Sequence, residues 1–106
     1  VTDISCADGL PVSPDTRRCA NNDATVDTDD CSLLGANGAA QLAATWKDPD
    51  YQSTQSAFYY VRVLQNPTCR WSTYDALRLG VAPPSHVPAT IRERAWSSPI
   101  WLVPEN

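Results

Sequence analysis

Four cysteines, Cys6, Cys19, Cys31 and Cys69, are the residues of this 106-residue chain best placed to do covalent chemistry. Zinc sites need close pairs of the C-x-x-C kind, whereas the gaps here are 13, 12 and 38 residues and the chain holds a single histidine. The even count and wide spacing predict two disulfides and no free thiol. They place the chain outside the cytosol, secreted into the periplasm or the cell exterior. Four cysteines permit three pairings. The expected one links Cys6 to Cys19 as a local bridge and Cys31 to Cys69 as a tie between the first third of the chain and an aromatic strand.

The run "NNDATVDTDD" gathers Asp23, Asp27, Asp29 and Asp30 within eight positions. Such oxygen clusters can hold Ca²⁺, which takes six to eight oxygen ligands. The spacing does not fit an EF-hand loop, so the run reads first as a solvated acidic loop and second as a calcium candidate. Asp48-Pro49-Asp50 reads the same way, as a turn before a ligand pair. His86 stands alone in "PPSHVP", with no neighbour to fix its tautomer, and Ser97-Ser98 has no base nearby. No nucleophile elbow, phosphate loop, zinc-protease helix or dinucleotide fingerprint occurs. Neither catalytic residues, nor a tightly bound transition metal, nor another cofactor is expected in this chain.

The elements that would carry these residues divide the chain in two. Residues 1–50 hold nine Asp against Arg17, Arg18 and Lys47, while residues 51–106 hold five Arg against Asp75, Glu93 and Glu105. The acidic half lacks the basic stripe that phosphate binding needs, so no nucleic-acid partner is expected. Nothing approaches the roughly 18 apolar residues of a membrane span, and no basic-then-apolar leader is present. All nine aromatic residues lie from Trp46 to Trp101. Residues 1–35 therefore read as an irregular acidic arm, turn-rich around Asp8-Gly9, Pro11 and Pro14, in which "ATVDTDD" could add one short edge strand. Residues 36–106 read as an aromatic β core, the two parts making one small domain or domain fragment.

Within that core "AAQLAATW" is ambiguous by period. "AFYYVRVLQ", Ala57 to Gln65, is the clearest strand, apolar on both faces, and Asn66-Pro67 stops it. "TYDALRLG" predicts a helix from Thr73 to Gly80, capped by Ser72 or Thr73 and ended by Gly80. "IRERAWSSPIWLV" alternates and resumes as a strand after Pro99. The fold class expected is mainly β: an antiparallel, sandwich-like sheet with one short helix and a disulfide-pinned N-terminal segment. Trp46, Trp71, Trp96 and Trp101 are expected to pack together with buried Arg–carboxylate pairs. The alternative is an exposed Trp/Arg platform for a ligand or carbohydrate.

"AFYYVRVLQNPTCRWSTYDALRLGVAPPSHVPATIRERAWSSPIW" resembles the C-terminal end of the large bacterial proteins grouped as domain-of-unknown-function family 3604. The Asp8-Gly9 turn and "GAAQLAATWKDPDY" match upstream, so the resemblance covers nearly the whole chain and is most specific from Ala57 to Trp101. Members of that family are several times longer. They carry near their N-terminus a "GDLHVHT"-like motif similar to the metal site of polymerase-and-histidinol-phosphatase-type hydrolases. That motif is not in these 106 residues, so the resemblance transfers no metal ligand and no catalytic residue, and the four cysteines are not assigned by it.

Three functions are carried forward. The first is a non-catalytic, secreted structural or interaction module that assembles with copies of itself, as a filament for example, or forms part of a larger protein. The second is the C-terminal part of a metal-dependent hydrolase-like enzyme whose active site lies on other sequence. The third is a small carbohydrate-binding module. Strand count favours the first: a sandwich takes about seven strands, and only four or five can be read here.

Overall fold

A computed structural model of the chain describes residues 1–35 and 37–105. Its long axis is a two-stranded antiparallel ribbon. One strand of the ribbon is built from β3 (Ala57–Tyr59), β4 (Arg62–Leu64) and β5 (Thr68–Cys69). The return strand is built from β6 (Thr90–Ile91), β7 (Arg94–Trp96) and β8 (Ile100–Leu102). Ala57 lies opposite Leu102, Arg62 opposite Trp96 and Thr68 opposite Ile91.

The register shifts twice, and prolines mark both shifts. Ser97, Ser98 and Pro99 oppose only Tyr60 and Val61, while Gln65, Asn66 and Pro67 oppose only Arg92 and Glu93. Each is a bulge of one extra residue, placed where a proline has no N–H to give the ladder. The second cancels the first. Backbone bonds carry pairing through both gaps: Ser97 N–H donates to the Val61 carbonyl at 2.9 Å, and Gln65 N–H donates to the Glu93 carbonyl at 3.0 Å.

Helix α1 (Trp71–Leu79) leaves the end of β5 and, with the loop that follows, joins the two strands of the ribbon. It starts two residues before the expected Thr73, and neither Ser72 nor Thr73 caps it. Both face inward and are buried, and the Thr73 hydroxyl donates to the Ala89 carbonyl at 2.7 Å. That hydroxyl therefore fastens the helix to the return strand instead of its own first turn. The expected C-terminus holds: Gly80 sits at φ 67° and donates to Ala76 and Leu77, and Val81 N–H reaches the Ala76 carbonyl at 3.0 Å.

The arm contributes β1 (Thr25–Val26) and β2 (Leu33–Leu34), paired antiparallel. Nearer its start the Asp3 carboxylate accepts Cys19 N–H at 2.7 Å and Arg18 at 3.3 Å. The expected disulfides, Cys6–Cys19 and Cys31–Cys69, are both present, and no cysteine is free. Residues 39–48 form neither helix nor strand.

The core is a corner. The buried residues are Ala24 of the arm, Cys69 of β5, and Ser72, Thr73 and Ala76 of α1, all small. The four tryptophans do not pack together as expected: they are between 45% and 73% exposed. The strands make single two-stranded layers, so the ribbon has no opposing sheet among the described residues against which indoles could pack. The molecule measures 64 × 27 × 24 Å with a radius of gyration of 18.6 Å, where a compact domain of this length would have about 13 Å.

The bridge from Cys31 to Cys69 closes the longer loop, 38 residues against 13. Chain entropy assigns it about 4 kcal/mol and the shorter one about 3 kcal/mol. Replacing Cys31 and Cys69 together by Ser should release the arm from the corner, so that limited proteolysis cuts residues 20–35 first. Cys6→Ser with Cys19→Ser should instead loosen only the first 20 residues. Equal cleavage of the two variants at residues 20–35 would contradict this.

Candidate functional site

Strand alternation and register divide the aromatic half of the ribbon into two faces. Phe58, Tyr60, Arg62 and Leu64 share one face with Trp96, Trp101 and Arg94. Phe58 and Trp101 meet at 5.0 Å between ring centroids, and Phe58 stacks on Tyr60 at 6.3 Å. The other face carries Tyr59, Val61 and Val63 with Ile100, Leu102 and Ala95. Except for half-buried Tyr59 and Arg62, every one of these side chains is exposed. Isolated surface apolar residues are ordinary, whereas here they form a contiguous stretch on both faces of one ribbon.

Polar groups lock this ribbon into shape. Ser97 Oγ accepts Val61 N–H at 2.8 Å and donates to the Ser98 carbonyl, which closes the bulge and occupies that hydroxyl. On the second face, Trp46 meets Tyr59 edge to face at 6.4 Å. The Tyr59 hydroxyl donates to Asp48 at 2.6 Å. That bond, and then Asp50 N–H, hold the Asp48 carboxyl below its usual range, and the Asp48 carboxylate pushes Tyr59 up to about 12. The Asp48-Pro49-Asp50 turn is thus a clamp on the ribbon.

At the other end of the ribbon, three asparagines join three segments. Asn22 Nδ2 donates to Asn66 Oδ1 at 2.8 Å, Asn66 donates to the Asn37 carbonyl, and Asn37 donates to the Asn22 carbonyl. A Cβ on Gly38, which sits at φ 148°, would lie 2.7 Å from Asn66 Nδ2 and would push that amide out of the ring. Neither this ring nor the Tyr59–Asp48 bond carries a sequence signal, because each links residues distant in the chain through ordinary polar types. Close by, Arg70 Nε and Ser72 Oγ are buried without partners.

The four candidate calcium ligands lie in the arm. Asp27 accepts Asp29 N–H and Asp30 accepts Ser32 N–H, each at 2.9 Å, so both carboxylates serve the turn between β1 and β2. The Ser32 hydroxyl and N–H lower the Asp30 carboxyl. Asp23 and Asp29 are exposed. Among the described residues no three His, Cys, Asp or Glu side chains converge on a position for a metal ion. His86 is exposed in the loop after α1. No helix in the described residues is long and apolar enough to cross a membrane.

The model of the family described as protein of unknown function (DUF3604) matches residues 1–104. The chain belongs to that family. The match runs through the arm, the ribbon and the helix alike, so the DUF3604 region takes in both disulfides and the whole exposed face. No curated protein and no solved structure matches this DUF3604 chain.

The Tyr59–Asp48 clamp has a defined pH window. Asp48 contributes stability fully present above pH 3.8 that is lost as pH falls through its lowered folded value; Tyr59 contributes stability present below pH 10.0 that is lost as pH rises through about 12. Tyrosinate absorbance should therefore show one of the four tyrosines titrating near 12, and Tyr59→Phe should remove that late phase. Asp48→Asn should return it toward 10. A late phase surviving Tyr59→Phe would contradict the assignment.

Proposed function

We propose that this chain is a non-catalytic structural and interaction module of a secreted protein. Apolar surface from copies of itself or from the rest of a larger polypeptide completes its ribbon. One observation carries the reading. The chain exposes 8499 Å², about 2,700 Å² more than the roughly 5,800 Å² of a compact monomer of its mass. That excess exceeds the roughly 800 Å² that each partner contributes to a standard interface. Phe58, Tyr60, Val61, Val63, Leu64, Trp96, Ile100 and Trp101 of the ribbon are all exposed, and a two-stranded ribbon is marginal on its own in water.

Two disulfides support an oxidising setting, extracellular or periplasmic. A parent protein of the kind implied by the family resemblance would supply the covering surface, and in that arrangement a metal-dependent active site would reside on the parent's other sequence. The part played by the present residues is the same in both cases: they bind, and they perform no bond chemistry.

Sedimentation equilibrium of the oxidised chain at micromolar concentration should give a mass that is a multiple of 11.6 kDa. A folded 11.6 kDa monomer with protected ribbon amides would overturn the reading.

A further inference from the structure

The two outer edges of the ribbon differ. The return strand is guarded by Pro99, by the bulge at Ser97–Pro99 and by the charged run Arg92-Glu93-Arg94. These are devices by which proteins prevent strand addition. The strand from Ala57 to Leu64 has no proline, glycine, lysine or bulge residue of its own, and Arg62 is its one charge. Its far end is occupied, since Asn22 holds Asn66 and Cys31 holds Cys69. An open edge remains from Phe58 to Leu64.

The direction of its backbone groups follows from the bonds already made. Val61 N–H and C=O both point at Ser97, and Gln65 N–H points at Glu93. Alternation then turns the N–H and C=O groups of Phe58, Tyr60, Arg62 and Leu64 outward. Those eight groups form an unpaired template.

We propose that the partner of this edge is the same edge of a second copy, paired antiparallel about a two-fold axis through Val61. The proposal rests on the interaction reading above and names its partner. The register is set by self-complementarity. With Val61 opposite Val61, each outward residue meets an outward residue, Tyr60 across from Arg62 and Phe58 across from Leu64. All eight groups of each chain are then paired. Tyr60 receives the guanidinium of the other copy over its ring, and Phe58 receives an aliphatic partner. Arg62 has no carboxylate partner in its own chain among the described residues, so the ring takes an otherwise unmatched cation.

The product is a four-stranded sheet, past the three strands needed for independent stability. Phe58, Tyr60, Leu64, Trp96 and Trp101 of both copies lie on one continuous face. The guarded return strands form its outer edges, so the contact is isologous and closes as a dimer without growing into a filament.

Cysteine cross-linking tests the register. In this pairing the two Val61 residues form a non-hydrogen-bonded pair with Cα atoms about 4.5 Å apart, within disulfide range. Val61→Cys should oxidise spontaneously to a covalent dimer, with the two introduced thiols joined to each other in peptide maps, whereas Val63→Cys, placed opposite Tyr59, should not. As a second variant, Tyr60→Pro removes an outward N–H that the chain's own ladder does not use, and it should weaken dimerisation roughly tenfold or more. If the chain self-associates but Val61→Cys cross-links no faster than Val63→Cys, the edge and register are wrong while the interaction reading stands. If the chain remains a folded monomer, both fall.

Discussion

The bridge between Cys31 and Cys69 holds the acidic arm against the corner that contains the buried side chains among the described residues. Cys69 ends the outgoing strand, α1 starts two residues later, and Ala24 and Ala76 close over the corner. The arm has too few apolar side chains to hold its position by burial, so the covalent tie and the ring of Asn22, Asn37 and Asn66 do it instead. Once the corner is fixed, the ribbon runs outward from it, and beyond Asn66 it is held by its own strand pairing and the Tyr59–Asp48 bond.

That arrangement explains an otherwise contradictory molecule. Most of its large apolar residues are exposed, and the buried positions among the described residues are alanine, cysteine, serine and threonine. Small side chains suit a three-way crossing where backbones approach closely. Large aromatics suit a pleated surface. The fold thus separates an internal staple from an exposed apolar ribbon.

Much of this could be read in the sequence, for identifiable reasons. The cysteine pairing, the Gly80 stop and the strand at Ala57 rest on local composition and spacing, which the fold obeys. The expected stop at Asn66-Pro67 is instead a bulge after which pairing resumes at Thr68, and the expected continuous strand from Ala57 is interrupted at Tyr60 and Val61 opposite the Pro99 bulge. The expected tryptophan core is absent because hydrophobicity marks a residue as suited to burial without supplying an opposing layer, and the two-stranded ribbon offers these indoles none among the described residues. The helix start was misread because Thr73 found a better acceptor, the Ala89 carbonyl, sixteen residues away. The Tyr59–Asp48 clamp was invisible because neither residue type is unusual where it stands.

The central claim is that the aromatic ribbon is covered by association and not by its own chain. Indole emission reports this directly, because all four tryptophans are exposed in the single chain and two, Trp96 and Trp101, lie on the ribbon. Diluting the oxidised chain through its dissociation range should shift emission toward the water-exposed position and open it to an aqueous quencher. An apolar, quencher-protected spectrum that stays unchanged down to concentrations where only monomer exists would contradict the account.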